Sequence, residues 1–356
     1  MPTFSAAELR TLIADCFTKV NVPKDDAEQT ARLMVEANLT GHDTHGVRQT
    51  PRYVELIEKG LIKAGAPLTV LKETPTTALL DGHHNLGYVA ASRATQIAID
   101  KCRKTGLAAV GIRNLNHVGR VGAYPEMIAA AGFVGLVFVN AQSLRGSQVT
   151  PFGGLSARLG TNPMAAGFPN PQGEPVLLDF ATSAVAANKI RQAKSRGKQM
   201  GQGIMVLKDG TTTNNPDDFL EGRALMLPLG GEQGHKGYAL SVMVDILSGI
   251  LAGSGTTLHP SADLNNGTFI ICINLENFTT REKYEQDLTE YVDHLRATPT
   301  APGAPAVQVP GDYEARNRRQ RVKDGITVEA SVWEDVRKCA DRLGVGVPVA
   351  IAAKAR

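Results

Sequence analysis

The sequence predicts an α/β protein led by a mainly helical segment, and three observations carry that prediction. Over the first sixty residues apolar side chains recur at helical spacing. From about residue 76 short β-branched or apolar runs alternate with helix-length stretches, the pattern of an α/β body. The chain has 356 residues, 42% hydrophobic and 21% charged, which is globular material sufficient for two domains or one domain with a lobe. No strand runs into G-x-G-x-x-G and no P-loop occurs, so any nucleotide would be held without those fingerprints.

Ser5-Ala-Ala-Glu8 has the capping-box pattern, and Leu9, Leu12, Ile13, Cys16, Phe17 and Val20 follow as the apolar face of a first helix. A second helix starts after Pro23, carries Ala27, Ala31, Met34, Val35 and Leu39, and stops at Gly41. A third runs through Tyr53, Val54 and Ile57 to Gly60. Strands are then expected at 77–80, 107–112 and 133–139, with helices at 89–104 and 124–131 between them. The Gly/Pro/Ser-rich passage 151–163 reads as a shaped loop over a ligand. Residues 175–180 read as a strand ending in a carboxylate, and Ala181-Thr-Ser183 as the opening of a helix. Gly230 to Gly237, containing His235 and Lys236, leads into an apolar helix at 238–251 whose free N–H groups suit an anion. A buried strand at 268–273, an amphipathic helix at 280–295, a linker at 298–306 and a last helix with Val332, Trp333, Val336 and Leu343 complete the chain.

A net charge of +3 is too small for this length to argue for nucleic acid or a membrane surface. The run from Arg316 to Lys323 is the local exception, and it reads as a solvent-exposed helix face before it reads as a phosphate site. Cys16, Cys102, Cys272 and Cys339 lie far apart and form no C-x-x-C. With no signal-peptide pattern at the N-terminus and no apolar run of membrane-spanning length, the cytoplasm is the expected compartment.

The most informative stretch is Gly41-His42-Asp43-Thr44-His45-Gly46-Val47, which holds two imidazoles in a polar turn. His45 there can serve as a general acid, because its ordinary pKa lies near working pH and both ring nitrogens are reachable. The competing local reading has His42 and His45 capping the preceding helix. A third reading, a metal-dependent hydrolase using both, lacks a third ligand at suitable spacing. Asn116-His117-Val118-Gly119-Arg120-Val121-Gly122 adds an imidazole, a guanidinium suited to carboxylate or phosphate, and glycines that permit close approach. Asp179 suits a ribose or amide partner, or equally an N-cap.

Six ordered segments together resemble the malate/L-lactate dehydrogenase type 2 family, non-Rossmann nicotinamide-dependent 2-hydroxyacid dehydrogenases. They are Thr44-His45-Gly46-Val47 with Tyr53, Asn116-x-x-x-x-Arg120 around His117, Leu159-Gly-Thr-Asn-Pro163, Leu178-Asp179-Phe-Ala-Thr-Ser183, Leu229-Gly-Gly with His235-Lys236-Gly237-Tyr238, and Val309-Pro-Gly311-Asp-Tyr-Glu314. The form of the first, second and fifth is most similar to the hydroxycarboxylate dehydrogenase B branch. The resemblance implies a mainly helical lobe of residues 1–75 plus about 307–356 and a mixed α/β lobe of residues 76–306 that binds cofactor and substrate. It implies His45 as proton donor, with His117 as the runner-up base. It places the cofactor, NAD with NADP as the alternative, against Gly119, Arg120 and Val121, against Leu177, Leu178, Asp179, Phe180 and Ala181, at His235 and Lys236, and along Gly311, Asp312, Tyr313 and Glu314.

The implied partners are a small 2-oxo or 2-hydroxy acid of malate, lactate or hydroxyphenylpyruvate type and a second copy of the chain completing the active site, with no metal, nucleic acid or membrane. Many relatives carry Arg four residues after the catalytic His, where Gln49 stands here, so the substrate carboxylate falls to Arg48, Arg52 or Arg120. Lys189 stands where the cyclic-imine reductases of the family carry an Asp, which counts against an imine. Other activities of the family, on a diketo sugar acid, ureidoglycolate or sulfolactate, are the alternatives.

Overall fold

The computed structural model describes residues 1–141, 148–258 and 265–351, so the last five residues of the expected helical lobe lie outside the described residues. The chain order begins β1 (Thr3–Phe4), α1 (Ala6–Lys19), α2 (Lys24–Leu39) and α3 (Thr50–Glu58). It continues with β2 (Thr69–Glu73), β3 (Thr77–Asp81), α4 (Gly87–Thr105), β4 (Leu107–Arg113), α5 (Ala123–Ala130), β5 (Val134–Val139), β6 (Met164–Phe168) and β7 (Val176–Phe180). A smaller unit follows: α6 (Ala187–Ser195), β8 (Met205–Leu207), β9 (Thr212–Thr213), α7 (Pro216–Leu220) and β10 (Ala224–Met226). Then come α8 (His235–Val244), β11 (Thr268–Ile273), α9 (Arg281–Arg296), α10 (Asp312–Asp324), β12 (Ile326–Thr327) and α11 (Ala330–Leu343).

The main sheet has seven strands in the order β2-β3-β4-β11-β5-β6-β7. Only β3 and β4 run parallel; the other neighbouring pairs are antiparallel. β11 alternates its burial along Thr268–Ile273 and sits between β4 and β5. Ile270 and Cys272 point into an apolar core with Val110, Ile112, Val137 and the Ala-rich face of α4. Burying such a side chain contributes about 1.5–3 kcal/mol relative to leaving it exposed. Opposite lies a π-helix, Asp245–Leu251, that continues α8, so the apolar run expected as one regular helix changes winding at Asp245. The buried Asp245 carboxylate accepts amide protons from Asn140 at 3.0 Å and Asn162 at 2.9 Å.

A second core joins α1, α2 and α3 to α11, with Phe4, Leu12, Phe17, Tyr53 and Val336 among its buried side chains. Ser5 and Glu8 form the expected capping box of α1. β1 pairs antiparallel with β12, tying this N-terminal segment to residues 326–327. A third, small core of Val149, Ile190, Met205, Phe219 and Met226 underlies the three-stranded sheet β10-β8-β9.

A second element also differs from its sequence expectation. The helix expected from Ala181 begins at Ala187. Before it the backbone is held extended: the Thr182 N–H donates to Thr161, and the Ala184 N–H to Leu227. Asp179 is therefore no N-cap for that helix. All four cysteines are buried and free. Among the described residues no helix is long and apolar enough to cross a membrane.

Candidate active site

The turn after α2 is built from its own residues. Asn38, near the end of α2, donates from its amide to Asp43 at 2.7 Å and accepts the Val47 N–H at 2.8 Å. Arg321 of α10 adds bonds to both Asp43 oxygens at 2.6 and 3.1 Å. Two short 3-10 turns, Asp43–His45 and Val47–Gln49, result, and they deliver His45 beside the start of α3. Gly46 is demanded by close approach, since a Cβ there would lie 2.1 Å from the Asn38 side-chain oxygen.

His45 and His117 come together. Their rings stack with centroids 5.2 Å apart and planes inclined by 19°. Three fully buried tyrosines hold this pair. The Tyr88 hydroxyl donates to the His45 carbonyl at 2.6 Å, the Tyr124 hydroxyl donates to the Val118 carbonyl at 2.5 Å, and the Tyr53 hydroxyl lies 2.5 Å from Nδ1 of His117. Burial lowers the His45 pKa to about 4, helped by the nearby charges of His42 and Arg120. Burial likewise drives His117 well below the usual imidazole range, with His45 and Arg52 adding to the effect. Nδ1 of His45 is buried without a partner among the described residues.

Arg120 is the buried cation of the site, 2% exposed. Gly119 before it has φ +75°, and a Cβ there would lie 2.0 Å from the Tyr88 ring. Arg120 is ion-paired with Glu126 of α5, yet its Nε and Nη1 have no partner among the described residues. Glu126 also faces Arg318 of α10, which pairs with Glu36 and Glu174, each at 2.7 Å. The Asp179 carboxylate accepts the Gly122 N–H, at the residue that leads into α5, at 2.9 Å. Burial raises its pKa despite the opposing Arg120 charge. Glu314 accepts a bond from His42 Nε2 at 2.9 Å; although burial opposes it, this bond and the charges of His42 and Arg120 keep the carboxyl below its usual range.

His45, His117, Arg120, Asp179 and Glu314, drawn from four separated segments, thus form one electrostatic neighbourhood. Gly311, with φ +100°, lies against Pro175, and the Leu177 N–H donates to the Pro310 carbonyl at 3.1 Å, so residues 177–181 and 311–314 adjoin. Arg52 is exposed, forms no ion pair among the described residues, and acts on His117 through its charge. Arg48 instead pairs with Glu329 at 3.2 Å. His235 and Lys236 are exposed at the start of α8, where Phe152 meets the His235 ring edge-on at 5.8 Å. No hydrogen bond or ion pair joins them to the histidine cluster among the described residues.

The basic run forms the solvated face expected at Arg316, Arg319 and Lys323, which are exposed, with Arg316 over the Tyr313 ring at 5.8 Å; Arg318 and Arg321 depart from it, consumed by carboxylates. Sequence reasoning gave no role to Glu126, Tyr88 or Tyr124. Only a contact between distant segments identifies them. A cleft of about 710 Å³ between α2, α5 and α9 is lined by Arg32, Glu126, Arg281 and Arg318 but by neither histidine. Among the described residues no group of three or more His, Cys, Asp or Glu is placed to hold a metal ion.

The sequence model of malate/L-lactate dehydrogenase matches residues 4–337. The chain belongs to that family. It is thereby an oxidoreductase acting on CH–OH donors. Hydroxycarboxylate dehydrogenase B of Escherichia coli is 36% identical over 349 residues, spanning 96% of this chain and 94% of that protein. Malate dehydrogenase of Pyrococcus abyssi is 35% identical over 346 residues, 95% of this chain and 94% of that protein. In three dimensions, malate dehydrogenase from Entamoeba histolytica superposes with a TM-score of 0.93 at 28% identity, covering 98% of this chain and 99% of that one. The mixed α/β fold of this malate/L-lactate dehydrogenase family member is that of its solved relatives.

Proposed function

We propose that the protein interconverts a 2-hydroxycarboxylate and its 2-oxocarboxylate by hydride exchange with NAD(H), with His45 moving the proton. The observation that carries this reading is the stacked His45–His117 pair beside a buried Arg120 whose Nε and Nη1 lack partners. Buried donors left unpaired are costly, so these two call for an anionic or carbonyl acceptor, and a nicotinamide dinucleotide offers both. Its binders would be Gly119, Arg120 and Val121, Leu177 to Ala181, Gly311 to Glu314 and the α8 start with His235 and Lys236, in place of a Rossmann crevice. Bound, the nicotinamide accepts or supplies the hydride at C2 of the substrate.

The chain's own residues do the rest. With a pKa of about 4, His45 rests as the neutral base, ready to take the hydroxyl proton as the hydroxy acid is oxidised. In reduction the same nitrogen returns a proton to the forming alkoxide, and a substrate carboxylate nearby favours the imidazolium this requires. Arg52, free of ion pairs among the described residues and close enough to act on His117, suits the carboxylate; Arg48 is engaged by Glu329, and the unpaired donors of Arg120 are given to the cofactor. NAD(H) is favoured over NADP(H) because Arg318, one of three arginines near Gly311, is committed to carboxylates and Arg316 lies on Tyr313.

The helical lobe is read as residues 1–75 with 307–356 and the α/β lobe as 76–306, a division supported by the two main apolar cores. A homodimer is supported by Ile246, Ile250 and Leu251, exposed by 49%, 65% and 60% on the π-helix. Four buried free thiols suit the reducing cytoplasm.

The deciding experiment supplies a panel of 2-oxo acids, including oxaloacetate, pyruvate, hydroxyphenylpyruvate and sulfopyruvate, with NADH and NADPH in parallel. Oxidation of NADH by at least one is expected. Loss of neither cofactor's absorbance with any member would overturn the reading.

A further inference from the structure

The three buried tyrosines around the histidines have their protons disposed differently. Tyr88 and Tyr124 each meet a backbone carbonyl, which can only accept, so both act as donors. Tyr53 is 1% exposed; its hydroxyl lies 2.5 Å from Nδ1 of His117, with the Tyr88 hydroxyl as a second, more distant partner. Two arrangements are conceivable. If Nδ1 carried a proton and donated it, the Tyr53 proton could turn only to the more distant Tyr88 oxygen, and most of the energy of a good bond would be lost. If Tyr53 donates, both groups are satisfied and the imidazole proton sits on Nε2.

We propose that Tyr53 is a positioning residue that locks His117 in the Nε2–H tautomer, making it a fixed hydrogen-bond donor to the C2 oxygen of the substrate. Nε2 of His117 has no hydrogen-bond partner among the described residues and is not sealed in the core, so it is left free for a ligand. His45 differs, because its Nδ1 meets nothing that would fix a tautomer. The two stacked rings therefore divide the work: His117 polarises the carbonyl without changing protonation, and His45 gives and takes the proton. Burial and the Arg52 charge, which disfavour an imidazolium at His117, agree with that division. The role of the lock in catalysis rests on the hydroxyacid dehydrogenase reading; the lock itself does not.

The test uses full-length protein labelled with ¹⁵N at histidine and compares wild type with Tyr53→Phe, which removes one oxygen from a buried ring. In wild type the His117 nitrogens should report Nδ1 as unprotonated and Nε2 as protonated. In Tyr53→Phe the pattern should move toward the Nδ1–H form. Turnover should fall by roughly tenfold to a hundredfold, the range for misdirecting one carbonyl donor, with KM for both substrates changed by less than about threefold. A wild-type spectrum showing Nδ1–H would overturn the lock without any variant, and so would an unchanged tautomer in a folded Tyr53→Phe protein. The spectrum needs no substrate, so a tautomer that responds as stated in a protein inactive on the whole oxo-acid panel refutes the reaction and upholds the lock.

Discussion

Acid should destabilise this protein through His45 in a way that a single substitution removes. The group titrates at about 4 in the folded chain against 6.5 in its ordinary state. Between those values the unfolded chain binds a proton that the folded chain refuses, so the imidazole's contribution is complete above pH 6.5 and is lost as the pH falls toward 4. At pH 5 the loss relative to pH 7.5 works out at about 2 kcal/mol, or about 3 °C in Tm for a chain of this length. Melting wild type and His45→Gln from pH 7.5 down to pH 5 isolates the effect, because Gln does not titrate. The wild type should lose about 2 kcal/mol more than the variant. The same burial keeps His45 in its base form, so kcat/KM for the hydroxy acid should show no fall near pH 6.5 attributable to this group. Parallel losses of stability in the two proteins would refute the view that burial holds His45 neutral.

Four further outcomes are expected. His45→Gln should lower turnover by roughly two to four orders of magnitude with cofactor affinity changed less than about twofold by titration; near-normal turnover would move the proton transfer to His117. Arg52→Ala should raise KM for the acid by roughly tenfold to a hundredfold, whereas Arg48→Ala, which breaks the pair with Glu329, should change steady-state KM by less than about threefold. Lys236→Ala should weaken NADH binding by about 1–3 kcal/mol in calorimetry, and an unchanged affinity would remove the start of α8 from the cofactor's path. Asn140→Ala strips the buried Asp245 of one of its two amide donors and should reduce denaturant-measured stability by about 1–3 kcal/mol.

What the sequence disclosed was local. The capping box at Ser5 and Glu8, the apolar faces of the first three helices and the alternation after residue 76 each follow from spacing within a dozen residues, and those elements form near where expected. The same holds for the histidine turn, whose Gly46 is needed by Asn38 only eight residues earlier. The small sheet of β8, β9 and β10 was not legible, because strands of two or three residues leave no period to read. Asp179 shows a different limit. An N-cap was foreseen, but the N–H it accepts is that of Gly122 ahead of α5, more than fifty residues upstream, and the pairing of β6 with β7 brings them together. The bond from Tyr53 to His117 and the commitment of Arg318 to three carboxylates are likewise products of tertiary assembly, on which periodicity is silent.

The position of β11 bears on how the protein is made. Its residues, 268–273, occupy the gap between β4 and β5, which leave the ribosome well over a hundred residues sooner. Until β11 emerges the two halves of the main sheet present facing unpaired edges, and β1 must wait longer still for β12 at 326–327. Contacts so distant in sequence impose slow closure and leave exposed strand edges open to misassociation meanwhile. Ribosome-stalled chains ending near residue 260 should accordingly remain protease-sensitive in β4 and β5, and protection should arrive abruptly once β11 has cleared the exit tunnel.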